Sequence, residues 1–259
     1  MQETIYSPET TYVHWLPEQH GQPELLGLLD KKEQQRATSF KFDQHRNLYI
    51  AAHVFLRKVL SYHSTLPPED WRFYQTSNGK PYIDNSMYQS MQFNLSHTKG
   101  MIVCAVNKTH EVGVDVEGLR PLKYMEQMSR RNYTHREYDD IFSNNSPEKQ
   151  LQRFYTYWTL KESFVKALGC GLSMPLKKIE FINLKNDIWT LKNNLNYHGN
   201  SIKYHYIFSH HIIHENFPVA LSVKSDTEAI SNANFCFVES NHQDTRQWKT
   251  HHNLVKIHD

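Results

Sequence analysis

The segment Val112-Gly113-Val114-Asp115-Val116-Glu117 constrains this chain more than any other stretch. Side chains alternate across a β-strand, so Val112, Val114 and Val116 share one face while Asp115 and Glu117 share the other. The valine face belongs to a core. The opposite face carries two carboxylates two positions apart, which repel each other when both are ionised. Water screens such a pair on an exposed face; alternatively a divalent cation neutralises it, and hard oxygen ligands suit magnesium. The strand alone leaves both readings open.

A second segment bears on the choice. Trp158-Thr159-Leu160-Lys161-Glu162-Ser163-Phe164-Val165-Lys166 reads as part of a helix from about Leu151 to Leu168, ended by Gly169-Cys170-Gly171. Glu162 and Lys166 are four apart and so lie on one helix face. Phe154, Tyr155, Tyr157, Trp158 and Phe164 crowd the same helix. That density predicts packing around most of its circumference and a partly enclosed setting for the Glu and the Lys. The plain alternative is a surface ion pair contributing roughly a few tenths of a kcal/mol.

Elsewhere the pattern repeats a helix followed by strands. From Gln44 to Ser61, Leu48, Ala51, Ala52, Phe55 and Val59 recur at helical steps. Asn78-Gly79-Lys80-Pro81 marks a tight reversal. Met101 to Val106 is a continuous apolar run of the kind a buried strand shows, and Phe217 to Val223 resembles it. The order predicts an α+β chain of two halves, each a helix with an antiparallel sheet, over residues 1–111 and 112–226; the halves are pseudo-symmetric, or their likeness is a coincidence between two ordinary α+β segments. Residues 227–259 read as a polar, His-rich C-terminal extension with one β-like patch at Phe235–Val238.

Composition narrows the class. At 259 residues, with 39% hydrophobic and 22% charged, the chain can form an ordinary globular core. A mean hydropathy of −0.69 and the lack of any apolar run near about 18 residues argue against a membrane span. Met1 to Trp15 shows no basic segment followed by an apolar core, so no secretory signal is expected. Three cysteines, none in a C-x-x-C pattern, predict reduced thiols in the cytoplasm. A net charge of +2 is too small to argue for nucleic acid. Seventeen histidines include the pairs His210-His211 and His251-His252, but no H-E-x-x-H or Cys/His spacing supports zinc. A serine hydrolase is disfavoured because Gly171-Leu172-Ser173-Met174-Pro175 lacks the final glycine of the nucleophile motif.

Taken together, V-G-V-D-V-E and W-T-L-K-E-S-F-V-K, with 47 residues from Asp115 to Glu162, resemble the signature of the 4′-phosphopantetheinyl transferases, of the larger, monomeric, surfactin-synthetase-activating type. Asn78-Gly79-Lys80-Pro81, Phe93-Asn94-Leu95-Ser96-His97 and Gly169-Cys170-Gly171-Leu172-Ser173 follow in the matching order. The resemblance implies transfer of the phosphopantetheine arm of coenzyme A to a serine of an apo acyl or peptidyl carrier protein. In it, Asp115, Glu117 and Glu162 bind Mg²⁺, for which Mn²⁺ can substitute, together with the coenzyme A pyrophosphate. Glu162, or a metal-bound water, takes the serine proton. Lys166 approaches the transferring phosphate, with Lys161 as its neighbour. His97 and Ser96 contact the phosphates, His97 with a catalytic role. Gly79 and Lys80 form a turn beside the nucleotide, Arg46 is a basic residue near it, and Arg36 ranks first of Lys31, Lys32 and Arg36 for the 3′-phosphate. The coenzyme A contacts fall mainly in the first half, and the metal, catalytic and docking residues in the second.

Two other classes remain to be separated: a metal-dependent nucleotide phosphohydrolase, and a non-catalytic module that binds carrier proteins. For docking of an acidic carrier, the segment from Arg120 to Arg136 offers Arg120, Lys123, Arg130, Arg131 and Arg136, interleaved with Leu122, Tyr124, Met125, Met128 and Tyr133. The plain alternative for it is an amphipathic helix covering the second half's core.

Overall fold

The computed structural model describes residues 10–17, 23–185, 188–192, 196–197, 200–201, 205–225, 234–240 and 249–251. Among the described residues β1 (Thr10–Pro17) comes first, then α1 (Lys31–Thr38) and α2 (Asp43–Tyr62). The strands β2 (Phe73–Gln75) and β3 (Pro81–Ile83) flank the reversal at Asn78-Gly79, and β4 (Gln92–Thr98) and β5 (Met101–Asn107) follow. Next come β6 (Val112–Val116), α3 (Met125–Asn132), α4 (His135–Phe142) and the long α5 (Pro147–Leu168). Strands β7 (Phe181–Lys185), β8 (Ile188–Leu191), β9 (Asn196–Tyr197), β10 (Asn200–Ser201), β11 (His205–Ile213) and β12 (Phe217–Ser225) lead to β13 (Asn234–Glu239) and β14 (Lys249–His251).

Two compact units result, one within residues 1–76, 81–109 and 231–259, the other within 77–80 and 110–230. The first holds a sheet in the order β14-β13-β1-β5-β4. β5 is buried at every position, as its continuous apolar run requires. Ala51, Ala52, Phe55 and Val59 of α2 pack with Ile102, Cys104 and Val106 to form this unit's core. The helical steps read from the sequence therefore face the sheet.

Residues 227–259 are not simply an extension. Phe235, Cys236, Phe237 and Val238 are buried in β13, which runs parallel to β1 in register Thr10↔Asn234 through Trp15↔Glu239. The apolar patch at Phe235–Val238 thus supplies an inner strand of the first unit's sheet.

The second unit has the sheet β6-β12-β11-β8-β7, antiparallel throughout. α5 lies across β6, β12 and β11 and buries Phe154, Leu160 and Phe164 with Phe181, Phe208 and Ala220. It starts four residues before the sequence reading placed it. Ser146 caps it through Lys149 N (3.4 Å) and Pro147 occupies the first turn, where its missing N–H costs no hydrogen bond. Gly169 in the left-handed region (φ 66°) ends it.

Candidate functional site

Strand β6 and helix α5 meet through an absence of side chain. A Cβ at Gly113 would stand 2.0 Å from the Ser163 carbonyl oxygen and 2.4 Å from Ala167 N. Only glycine lets the helix backbone approach this closely, the known meaning of glycine in a strand interior. Ser163 Oγ then reaches Ser222 Oγ on β12 (2.7 Å), pinning the helix to the sheet. The face of β6 opposite the valines is therefore covered by α5, and β6 is buried on both sides. Its end is the exception: Glu117, just past the strand, is only half-buried.

Because α5 sits so close, its Lys166 falls beside the strand's Asp115 and its Glu162 lies within reach of the strand's charges. Lys166 Nζ lies 2.7 Å from Asp115 Oδ1 and donates to the Val114 carbonyl at 3.2 Å. Asp115 is 6% exposed and the Lys166 side chain 30%, so the pair sits at the rim of the buried region. Glu162, one turn before Lys166, has its pKa raised by burial first, then by the charges of Asp115 and Glu117, with Lys166 opposing. Burial also raises Glu117, followed by Asp115, while Arg120, Lys166 and a hydrogen bond from Trp158 pull it down. Glu162 thus feels both Asp115 and Glu117, and Glu117 feels Asp115. Arg120 Nη2 stands 3.9 Å from Glu117 Oε2.

These are the properties of a donor set for a hard cation: three carboxylates from two adjoining elements, mutually repulsive and partly dehydrated. The residues fit Mg²⁺ by their chemistry. Among the described residues, however, no group of three His, Cys, Asp or Glu side chains is placed so that it could hold a metal ion. The Lys166 ammonium balances Asp115 instead.

Two lysines expected at the nucleotide are committed elsewhere. Lys161 is fully buried; its Nζ pairs with Glu137 (2.7 Å) and donates to the carbonyls of Leu176 (2.8 Å) and Ile179. Glu137 in turn accepts from Phe181 N (3.0 Å). Lys161 is therefore a structural cation joining α5 to α4 and to the segment before β7, and its assignment as a coenzyme contact is corrected. The Lys80 ammonium is also drawn inward, to Glu111 and the Ala167 carbonyl (2.8 Å), which leaves the turn's backbone as the part facing outward. Burial lowers the pKa of both lysines, against the raising effect of their carboxylate partners. Gly79, exposed at φ 84°, makes the reversal.

The remaining sequence candidates lie in the first unit. Ser96 is buried and His97 exposed, as alternation along β4 demands. Arg36 is exposed on α1, its guanidinium 5.1 Å from the Phe40 ring centroid. Arg46 pairs with Asp43 at 3.0 Å at the start of α2. Sequence reasoning passed over Gly113, Trp158, Glu111 and Glu137. Glycine inside a valine strand was the available signal for the first; nothing local marks the others, because their partners lie on distant segments.

In the segment from Arg120 to Arg136, the apolar residues turn mostly inward. Tyr133 is buried with its hydroxyl on the Phe154 carbonyl (2.9 Å), and Leu122, Met125 and Met128 pack against the core. Tyr124 stays 56% exposed with the Lys123 ammonium 5.2 Å from its ring centroid, and Arg120, Arg130, Arg131 and Arg136 are exposed along the same segment. The mixed docking surface expected from sequence reduces to exposed basic residues with one exposed tyrosine.

Residues 111–222 match the 4′-phosphopantetheinyl transferase superfamily, and residues 13–109 match the family described as 4′-phosphopantetheinyl transferase, N-terminal. The seam between the two matches coincides with the boundary of the units after residue 109. The chain belongs to the 4′-phosphopantetheinyl transferase superfamily.

Relatives include 4′-phosphopantetheinyl transferase HetI of Nostoc sp. (strain PCC 7120), 37% identical over 61% of this chain and 66% of its own length. 4′-Phosphopantetheinyl transferase Sfp of Bacillus subtilis (strain 168) is 34% identical over 57% and 62%. The L-aminoadipate-semialdehyde dehydrogenase-phosphopantetheinyl transferase of Xenopus laevis is 31% identical over 64% and 58%. The chain thus spans 58–66% of the length of these relatives.

Proposed function

We propose that this protein transfers the 4′-phosphopantetheine arm of coenzyme A to a serine of an apo carrier protein, releasing adenosine 3′,5′-bisphosphate. The observation that carries the reading is the grouping of Asp115, Glu117, Glu162 and Lys166 where β6 meets α5, in a chain of this superfamily. Asp115, Glu117 and Glu162 would hold Mg²⁺, or Mn²⁺ in its place. When bound, the ion supplies charge neutralisation for phosphate oxygens. Lys166, next to these carboxylates, is suited to stabilise negative charge on the phosphoryl group in flight. Glu162 is the side chain suited to accept the serine proton. Ser96 and His97 are taken as phosphate contacts, Arg36 and Arg46 as the basic side of the nucleotide site, and Gly79 as a backbone neighbour of the nucleotide. The exposed Lys123, Arg130 and Arg131, with Tyr124 among them in sequence, would steer an acidic carrier.

The same reading places the protein in the cytoplasm as a monomer. The three cysteines are free and buried, which suits a reducing compartment, and among the described residues no helix is long and apolar enough to cross a membrane. The test is incubation with coenzyme A, Mg²⁺ and a panel of apo-carriers, followed by intact-mass measurement. The expected result is a carrier gaining one phosphopantetheine, with one adenosine 3′,5′-bisphosphate released per carrier. Consumption of coenzyme A without any carrier would identify a phosphohydrolase; binding of carrier without either product would identify a docking module.

A further inference from the structure

A second cleft lies in the same unit, away from the carboxylates. It opens between the first turns of α5 and the strands β8 and β11, with a volume of about 510 Å³. That is within the range of small-molecule sites, roughly 300–1,000 Å³. Arg153 and Glu162 are nine residues apart on α5, about 13 Å along the axis, so the two regions are separate.

The lining is rich in hydrogen-bond donors. Lys149 and Arg153 bring two cations, and Asn144, Gln152 and Asn183 bring three side-chain amides. No carboxylate is among the described residues that line it. Asp140 holds Arg153 through Nε at 3.0 Å, and the guanidinium lies 5.9 Å from the centroid of the Trp189 ring. Arg153 is therefore oriented before any ligand arrives.

The floor gives an independent sign. His210, two residues along β11 from Phe208, shares its strand face, and Trp189 on β8 pairs with Phe208. Both rings line the cleft, 5% and 3% exposed. Neither Trp189 Nε1 nor His210 Nε2 has a hydrogen-bond partner. A buried polar nitrogen left unsatisfied costs about 1–3 kcal/mol, and two at the base of one cleft mark a place where polar atoms belong, an acceptor at least for the indole N–H. Burial, then His211 and Arg153, lower the pKa of His210 to about 3, so the imidazole is neutral and adds no charge of its own.

We infer that this cleft binds a small oxyanion of the phosphate class, with Lys149 and Arg153 neutralising it and the Trp189 indole N–H donating to it. The site is additional to the carboxylate cluster and does not depend on it.

The indole ¹H–¹⁵N resonance of Trp189, assigned by its loss in Trp189→Phe, reads the site directly. Inorganic phosphate is titrated at constant ionic strength in EDTA, with acetate and chloride as separate arms. The resonance should move saturably with phosphate, little with acetate and not with chloride. Lys149→Gln, an exposed change, should weaken the phosphate response at least about fivefold, and Arg153→Gln similarly, as expected for loss of a charge-assisted hydrogen bond. Asp115→Ala should leave it unchanged. A flat phosphate titration, an undiminished response in Lys149→Gln, an acetate response as strong as that to phosphate, or loss of the response in Asp115→Ala would each overturn the inference.

Discussion

Lys166 Nζ on α5 lies 2.7 Å from Asp115 Oδ1 on β6, so one ion pair ties the helix to the end of the acidic strand. The pair is partly exposed and its rupture should cost little stability. Its partners, however, are the groups on which the proposed chemistry depends. Asp115→Ala should abolish phosphopantetheine transfer at every Mg²⁺ concentration while the urea midpoint stays near wild type. Near-normal transfer across a Mg²⁺ titration would remove Asp115 from the site.

Glu162→Gln and Lys166→Ala separate proton transfer from charge stabilisation. Each should reduce kcat by about 10² or more, the lower end for loss of a general base or of a donor in an enclosed site. Single-turnover transfer to one carrier is the measurement. Small and equal losses would mark an ordinary surface pair.

Gly113→Ala tests the close approach itself. The new Cβ cannot coexist with the Ser163 carbonyl at 2.0 Å, so α5 must move away from β6. The expected cost is about 3 kcal/mol in urea unfolding, the upper part of the range for overpacking, with a matching loss of transfer as Glu162 and Lys166 withdraw. Unchanged stability would mean the helix yields without strain.

Lys161→Ala addresses the corrected lysine. Removing one partner of a buried ion pair strands the Glu137 carboxylate and should cost about 3–5 kcal/mol. In the folded fraction the KM for coenzyme A should be unaltered. A raised KM with normal stability would return Lys161 to the nucleotide site.

Stability should also fall with acid. Burial holds His63 and His210 at pKa values of about 3, helped by Lys108 for the first and by His211 and Arg153 for the second. Unfolded histidine titrates near 6.5. Between about pH 6.5 and 3 the unfolded chain binds the extra protons, so stability is lost as pH falls through that window. Near pH 5 each buried histidine should account for about 2 kcal/mol. Urea unfolding at pH 7 and pH 5 measures the difference, and His210→Phe should shrink it by about that amount. An equal difference in both proteins would show that His210 is protonated when folded.

Much of the site was legible because two periodicities carried it. Alternation placed Asp115 and Glu117 on one face, and the four-residue step placed Glu162 with Lys166. Those patterns are local and need no knowledge of partners. What spacing could not do was tell Lys161 from Lys166: both flank Glu162, and only the packing of α4 decides that one is swallowed by Glu137 while the other reaches Asp115. The start of α5 was readable in Ser146-Pro147 and was missed because hydrophobic periodicity begins only at Leu151. The strand at Phe235–Val238 was visible as an apolar patch, but its parallel neighbour is over two hundred residues away, and no local pattern names such a partner.

That parallel pairing sets an order of assembly on the ribosome. Everything the second unit needs has emerged once residue 230 is out, so the sheet carrying the acidic strand can close early. β1, made more than two hundred residues earlier than β13, must wait for it before its second edge is paired. Until then one side of an apolar strand stays open to other chains, the exposure that invites misassembly in nascent proteins. Of the described strands of that sheet, the one synthesised earliest is thus among the last to be sealed.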